Sequence, residues 1–369
     1  MTEPSTLQPS QTVRNLAASI GSIFKDNPEA LTSFEGQDKL NGILKEIEDL
    51  DHDFEQKGGI YFRAGEDPFE TAKEFTRIHV EQYRQGGRPS LPALAFHHAE
   101  GLGVPAESPA YKALLLVSTR AEMKLAIEPD YHSKCHYADV TAFTANLLNK
   151  NNQLVAQGDR QAVNLSVQEQ ALTLIAAIGH DLDHEGKGNP PEQPLLNEEA
   201  SFAKMLPLLQ AAGLEQDDIE KIHVILQTTS PNGPHAVLKE AAKAHREGRE
   251  PDWVKADKDD RFTGLRAALE ADTRITQMAS MVSDADLAAS SISMESSQVM
   301  SALLTNEFKK SGGNIDFTTD AARKFFLDNI VGTEGYASAA ARALANPAFM
   351  ALRQETERRL AAASPKSSP

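Results

Sequence analysis

Apolar residues recur three and four positions apart along most of this chain, the spacing that lines one face of an α-helix. LNGILKEIEDL shows the pattern first, near residue 40. ETAKEFTRIHVEQYR, KALLLVSTRAEMKLAI, ADVTAFTANLLNK, VQEQALTLIAAIGHD, EEASFAKMLPLLQAAG, IEKIHVILQTT and RITQMASMVSDADLAASS repeat it further on. Strand-like alternation is nearly absent. Glycine and proline gather between the periodic runs, as in EGKGNPPEQP and TSPNGPH, where they mark loops. The pattern predicts an all-α fold, with one compact multi-helix unit over residues 61–350. Residues 1–12 read as a flexible tail and 13–60 as a helical lead-in or regulatory segment, with a break marked by Gly58, Gly59 and Gly65. Residues 351–369 read as a helical end followed by a loose tail. No internal repeat is visible.

Composition narrows the function classes. Apolar residues make up 40% and charged residues 24% of the chain, ordinary for a globular protein with its own core. The net charge of −16 sets the protein against nucleic acid and anionic membranes as partners. A small anionic substrate is compatible with it, because bound cations reverse the local field. No run approaches eighteen apolar residues and no secretory signal is visible, so a reducing, cytoplasmic setting is expected; a dedicated export signal is not legible by these rules. The single cysteine, Cys135, rules out an internal disulfide and reads as a packing residue rather than a nucleophile.

Histidine and carboxylate concentrate in three segments. YHSKCHYADV carries His132 and His136, one helical turn apart and so expected on one helix face. AAIGHDLDHEGKGN carries His180, Asp181, Asp183 and His184, the two histidines again spaced to share a face. The apolar run LTLIAAIG brings His180-Asp181 to its own terminus, which points to a buried site where unpaired charge is unfavourable and a bound cation removes the penalty. MVSDADLAAS brings Asp284 and Asp286 to the end of another apolar helix. Each motif alone has an ordinary explanation, as core histidine or solvated turn. The order H…HD…D, each at a helix, gives two histidines and two aspartates from three helices. Such donors suit two divalent cations: Zn, Fe or Mn at one site and Mg or Mn at the other. Two such ions, roughly 3.5–4 Å apart, share a bridging hydroxide that attacks phosphorus.

These segments resemble a known family. YHSKCHYADV is similar to the YHNxxHAxDV signature of class I cyclic-nucleotide phosphodiesterases, within the HD-type metal-dependent phosphohydrolases. IGHDLDHEGKGN is similar to their HDxxHPGxxN, and MVSDADL to the segment that supplies their last metal ligand. The likeness runs from near Leu115 to Val331. It implies a compact all-helical domain with a deep two-metal pocket. By position it implies His136, His180, Asp181 and Asp286 as metal ligands, Asp181 bridging to the second ion, and His132 as the general acid for the leaving oxygen. It also implies His184 and Thr228 near metal-held water, and Glu198, with Glu199 beside it, as the glutamate that pairs with the acid and the water shell. The region FFLDNIV places Phe326 as a base clamp and puts Arg323 where the family carries a glutamine.

The departures bear on substrate. Ser133 replaces the usual Asn, Glu185 the usual Pro, and Ala289 an amide after the last ligand. No glutamine occurs from Ser311 to Met350. Arginine offers only donors and cannot imitate an amide. The expected activity is hydrolysis of a small anionic phosphoester, a 3′,5′-cyclic nucleotide such as cAMP, to the 5′-monophosphate. A different nucleotide- or ribosyl-linked phosphoester is the alternative substrate, and an inactive metal-binding or ligand-sensing module the alternative class.

Overall fold

The computed structural model describes residues 37–123, 128–231, 233–253 and 260–363. Among them are fourteen α-helices and no strand, in agreement with the all-α expectation. The first seven are α1 (Gln37–Gln56), α2 (Pro68–Gln85), α3 (Leu91–Gly101), α4 (Pro109–Glu122), α5 (Lys134–Ala156), α6 (Val167–Gly179) and α7 (Leu196–Ala211). The rest are α8 (Gln216–Gln227), α9 (Pro234–Glu247), α10 (Thr263–Ala271), α11 (Thr273–Ser291), α12 (Met294–Lys310), α13 (Asp320–Phe325) and α14 (Ala339–Ala363). A π-helical turn, Phe326–Gly332, prolongs α13.

Local chemistry starts several of these helices where they start. Asp67 accepts from the backbone N–H groups of Phe69 and Glu70 ahead of α2, Ser90 from Ala93 ahead of α3, and Ser108 from Tyr111 ahead of α4. A proline stands in the first two positions of each, where its missing N–H has no partner to lose. Ser166 and Glu169 form a reciprocal capping box before α6. Each cap is worth about 1 kcal/mol.

Helix α6 is the axis of the core. From Gln170 to Gly179 every residue is buried, which explains why its sequence is apolar on all sides. Burying Leu172, Leu174, Ile175 and Ile178 contributes roughly 6–12 kcal/mol before conformational entropy is set against it. Helices α4, α5 and α11 pack around it. Its last residue is glycine for a steric reason: a Cβ on Gly179 would stand 2.3 Å from the Met205 sulfur on α7. That close approach seats the residues that follow, His180 and Asp181, over the core.

Segment 37–56, expected as part of a lead-in, is helix α1 and is built into the same core through Leu40, Ile43 and Ile47. The expected tail at 1–12, the rest of the lead-in to residue 36, and the end from 364 lie outside the described residues. No helix among the described residues is long and apolar enough to cross a membrane.

Candidate functional site

Three elements meet at the site. The first turn of α5 carries His136, the C-terminal end of α6 delivers His180 and Asp181, and α11 carries Asp286. The His136 and His180 Nε2 atoms are 3.3 Å apart. Asp286 Oδ1 lies 3.0 Å from His136 Nε2 and 3.6 Å from His180 Nε2. Asp181 Oδ2 lies 3.0 Å from His180 Nε2 and 3.6 Å from His136 Nε2. Both imidazoles are fully buried, whereas both aspartates keep 15% of their side-chain surface exposed. The four donors thus form a cage closed by protein on the histidine side and open on the carboxylate side. His180 Nδ1 donates to the Ala177 carbonyl at 2.8 Å, which leaves the Nε2 lone pair facing the cage.

Two imidazole nitrogens facing each other at this range have only carboxylates to hold protons for. Burial works against a charge on His136, but its hydrogen bonds to Asp181 and Asp286 win and push it up to about 9. His180 is driven well above the usual imidazole range against the same burial, mainly by Asp181. Asp181 and Asp286 go the other way: burial would raise them, and the two histidines hold them well below the carboxylate range. Without a cation the cage must be held together by bound protons.

A second cluster adjoins the first. One donor atom each of His132, Asp181 and His184 lie within 4.8 Å of one another, as do those of His136, His180 and Asp286. Asp181 belongs to this second group and also reaches His180 and His136 of the first through Oδ2. The His132 and His184 rings stack with centroids 3.8 Å apart. Burial, then the charge of His132, pushes His184 down to about 4, so it is a neutral ring whose Nδ1 accepts the Gly186 N–H at 3.0 Å.

Several sequence-based expectations change. Helix α5 begins at Lys134, with Ser133 as its cap residue, so His132 stands ahead of the helix rather than on a face with His136. Helix α6 ends at Gly179, so His184 comes from the following loop rather than a shared helical face. Asp183, in that loop, takes a left-handed conformation (φ 58°) and is held by Arg120. Asp286 is not at a helix end, since α11 continues to Ser291.

The largest correction concerns the partner of His132. Its Nδ1 lies 2.5 Å from Glu307 Oε1 on α12, and the other Glu307 oxygen accepts the backbone N–H groups of Tyr131 and His132 at 2.8 and 3.1 Å. Glu198, expected in that role, instead accepts from Asn189 Nδ2 at 2.8 Å. Glu198 is buried and pushed up to about 7, chiefly by that burial, with the Asp181 charge adding to it. Glu199 faces outward and binds His223 and Gln227. Asn189 also reaches Ser230 Oγ and the Pro194 carbonyl, and its own oxygen caps Asn197. Glu307 carried no signal in the sequence, because NEFKK matches no motif. Gly186 marks its position in space: a Cβ there would stand 2.9 Å from Glu307 Cγ.

Thr228 caps the end of α8, its hydroxyl donating to the Ile225 carbonyl at 2.6 Å. Arg323 is buried, with its guanidinium bound to Ser297 Oγ at 3.0 Å and to Asp320. Phe326 opens the π-helical turn and packs against the core. Neither makes a hydrogen bond or ring contact with the two clusters among the described residues. The motif residue Asp139 is also apart from the cage: buried, it binds His79 of α2 and accepts from Gln82 at 3.3 Å.

Residues 131–201 match the sequence model of the 3'5'-cyclic nucleotide phosphodiesterase family. No curated protein matches the chain. Among solved structures, the fold is similar to that of LmjPDEB1 in complex with IBMX, at 16% identity and TM-score 0.51, over 78% of this chain and 93% of that one. It is also similar to the phosphodiesterase domain of the RhoPDE fusion protein from the choanoflagellate Salpingoeca rosetta, at 18% identity and TM-score 0.47, over 84% and 96%. The matched stretch holds both histidine motifs, so the likeness to class I cyclic-nucleotide phosphodiesterases stands on the chemistry-bearing part of the chain. The matched family is one of phosphodiesterases, and the clustered His and Asp donors of this chain suit divalent cations.

Proposed function

We propose that this chain hydrolyses a 3′,5′-cyclic nucleotide to the 5′-monophosphate, with His136, His180, Asp181 and Asp286 holding a pair of divalent cations and His132 as the general acid. The observation that carries this reading is the convergence of two buried imidazole Nε2 atoms, 3.3 Å apart, on the same two carboxylates. Such a donor set fits a cation of the Zn, Fe or Mn kind, and a second cation, Mg or Mn, would sit on the more open side beside Asp181. Asp181 is the residue positioned to bridge. When bound, the cations supply Lewis acidity toward phosphoryl oxygens and a nucleophile from water at neutral pH.

The protein residues do the rest. Glu307 holds the Nδ1 side of His132 and fixes its ring, so Nε2 presents a proton to the leaving 3′-oxygen. The stacked His184 ring closes one side of His132 and orders the space between them. Glu198, buried and poised near neutrality, and Asn189 organise the polar wall beside Asp181. Thr228 caps the end of α8 two residues before Ser230, which binds Asn189 of that wall.

A second reading keeps this chemistry and changes the substrate to another nucleotide- or ribosyl-linked phosphoester. It is favoured by Arg323, whose guanidinium is buried against Ser297 and Asp320, and by the buried Ala289, which has no amide to frame a base. A role for Phe326 as base clamp belongs to the first reading.

The test is a substrate panel, cAMP, cGMP, cyclic dinucleotides and ADP-ribosyl phosphoesters, run with Mn or Mg beside an activated aryl phosphodiester. Cyclic mononucleotide turnover supports the first reading and ribosyl phosphoester turnover the second. An aryl leaving group needs no proton, so His132→Ala lowers turnover of the natural ester by about 10²–10⁴ and that of the aryl ester far less. Equal losses on both would remove His132 from the acid role. Failure to hydrolyse any of them in metal-loaded protein would leave only a non-catalytic metal-binding module.

A further inference from the structure

We propose a second, non-catalytic binding site for a phosphate or phosphomonoester group, in the cleft between the end of α9, the start of α11 and the N-terminus of α14. Arg160, Arg246 and Arg342 converge on a hollow of about 60 Å³, with Thr273 and Gln277 on its floor. Among the described residues no carboxylate lines it. In a chain of net charge −16 that grouping is against the average, and it shares no residue with the His/Asp clusters.

Two of the three arginines, Arg160 and Arg342, make no ion pair among the described residues. Arg342 is half-buried, yet its guanidinium touches only neutral oxygens: the carbonyls of Tyr336 (3.4 Å) and Ala337, and Gln161 Oε1 at 2.9 Å. Arg160 is exposed and makes no ion pair among the described residues. Arg246 reaches Glu334 only at 3.4 Å, and Lys243 takes the other oxygen of that carboxylate at 2.6 Å. Nearby Asp284 has both oxygens engaged, by the backbone N–H groups of Ala337 and Ser338 at 2.8 Å each. Nearby Asp159 accepts the backbone N–H of Gln161. Burial, then the charge of Arg246, lowers the pKa of Arg342, while Asp284, Asp159 and Glu334 act the other way.

Geometry selects the kind of anion. Guanidinium forks match paired oxygens, and three of them around a one-group hollow suit a tetrahedral dianion better than a flat carboxylate. Ala339, the first residue of the long helix α14, lines the same hollow, so the positive end of the helix dipole adds to the field. Free phosphate and a nucleoside 5′-monophosphate offer the same chemistry.

The experiment is calorimetric titration of the full-length protein with inorganic phosphate at constant ionic strength, chloride replacing phosphate in the reference. Saturable binding is expected, weakened about tenfold or more by Arg246→Gln and by Arg342→Gln, each of which removes charged hydrogen bonds, and less by the exposed Arg160→Gln. His180→Ala is expected to leave this binding unchanged. A parallel titration with a nucleoside 5′-monophosphate in the His180→Ala protein separates the sources: tighter binding than phosphate assigns the site to a nucleotide, equal binding to the phosphate group alone. Arg160 is exposed and Arg246 is only partly buried, so their variants keep the test valid if Arg342→Gln fails to fold. Absence of saturable binding, binding indifferent to all three arginines, or binding lost with His180→Ala would overturn the proposal.

Discussion

Two of the buried charge groups among the described residues are built on opposite rules. At the junction of α1, α3 and α4, Arg88 donates two parallel hydrogen bonds to Glu122 at 2.9 and 2.7 Å, and to the Pro89 carbonyl. Glu122 also accepts the Leu91 N–H, while Asp51 accepts the backbone and hydroxyl of Ser90 at 2.8 and 2.9 Å. Donors there meet acceptors, and the network closes on itself. In the His/Asp cage, acceptors meet acceptors: two imidazole nitrogens and two carboxylates point at one small volume. A structural network is complete as protein, whereas a metal site is complete only with something added.

The comparison can be broken most directly at Asp286. Replacing a group that merely supports a metal ligand typically costs 10–100-fold, so loss of a ligand itself in Asp286→Ala should cost more than about 100-fold in turnover. Metal content by elemental analysis should fall with it. A metal-replete, active Asp286→Ala protein would place the cage outside the chemistry.

The opposite behaviour is expected of Glu122→Gln. It leaves Arg88 as an uncompensated buried cation, a change worth about 3–5 kcal/mol of stability. Denaturant midpoints should report that loss, while activity per folded molecule stays at the parent level. If stability were unchanged, the closed network would not be holding this corner.

A smaller effect separates the residues within the site. Glu307→Gln keeps the shape beside His132 but removes the charge, and should lower turnover about 10–100-fold with KM and metal content little changed. The acid limb of the pH–rate profile should move with it. An unaltered profile would mean that Glu307 is packing alone.

The smallest effect belongs to Asp51. Burial raises its carboxyl from 3.8 to about 7, so the folded state holds a proton that the unfolded chain has released. Stability from this group is full below pH 3.8 and is lost as pH rises through about 7. Asp51→Asn should flatten the stability-against-pH curve in that window, by a few kcal/mol at most. An unchanged slope would put the pH dependence elsewhere.

Much of this was legible in the residue order. The apolar spacing marked helices such as α2, α5, α6 and α11, because a helix face is a local, periodic property. The residues His136, His180, Asp181 and Asp286 stood out because they sit in dense His/Asp motifs, and the chain does bring them together. Boundaries were less legible: His132 and His184 have the spacing of helical neighbours, but both lie in loops. Glu198 and Glu199 could not be told apart as letters; their opposite exposure separates them.

By itself, then, the sequence determined the helical class and the set of clustered His and Asp residues, since each is written in near-neighbour pattern. Only the tertiary structure decided that Glu307, more than 170 residues away, faces His132, that Arg323 turns to Ser297 and Asp320, and that three arginines share a hollow without a carboxylate. Those pairings depend on which helices pack against which. Packing is a sum over many weak contacts spread along the chain, and no short stretch of sequence records it.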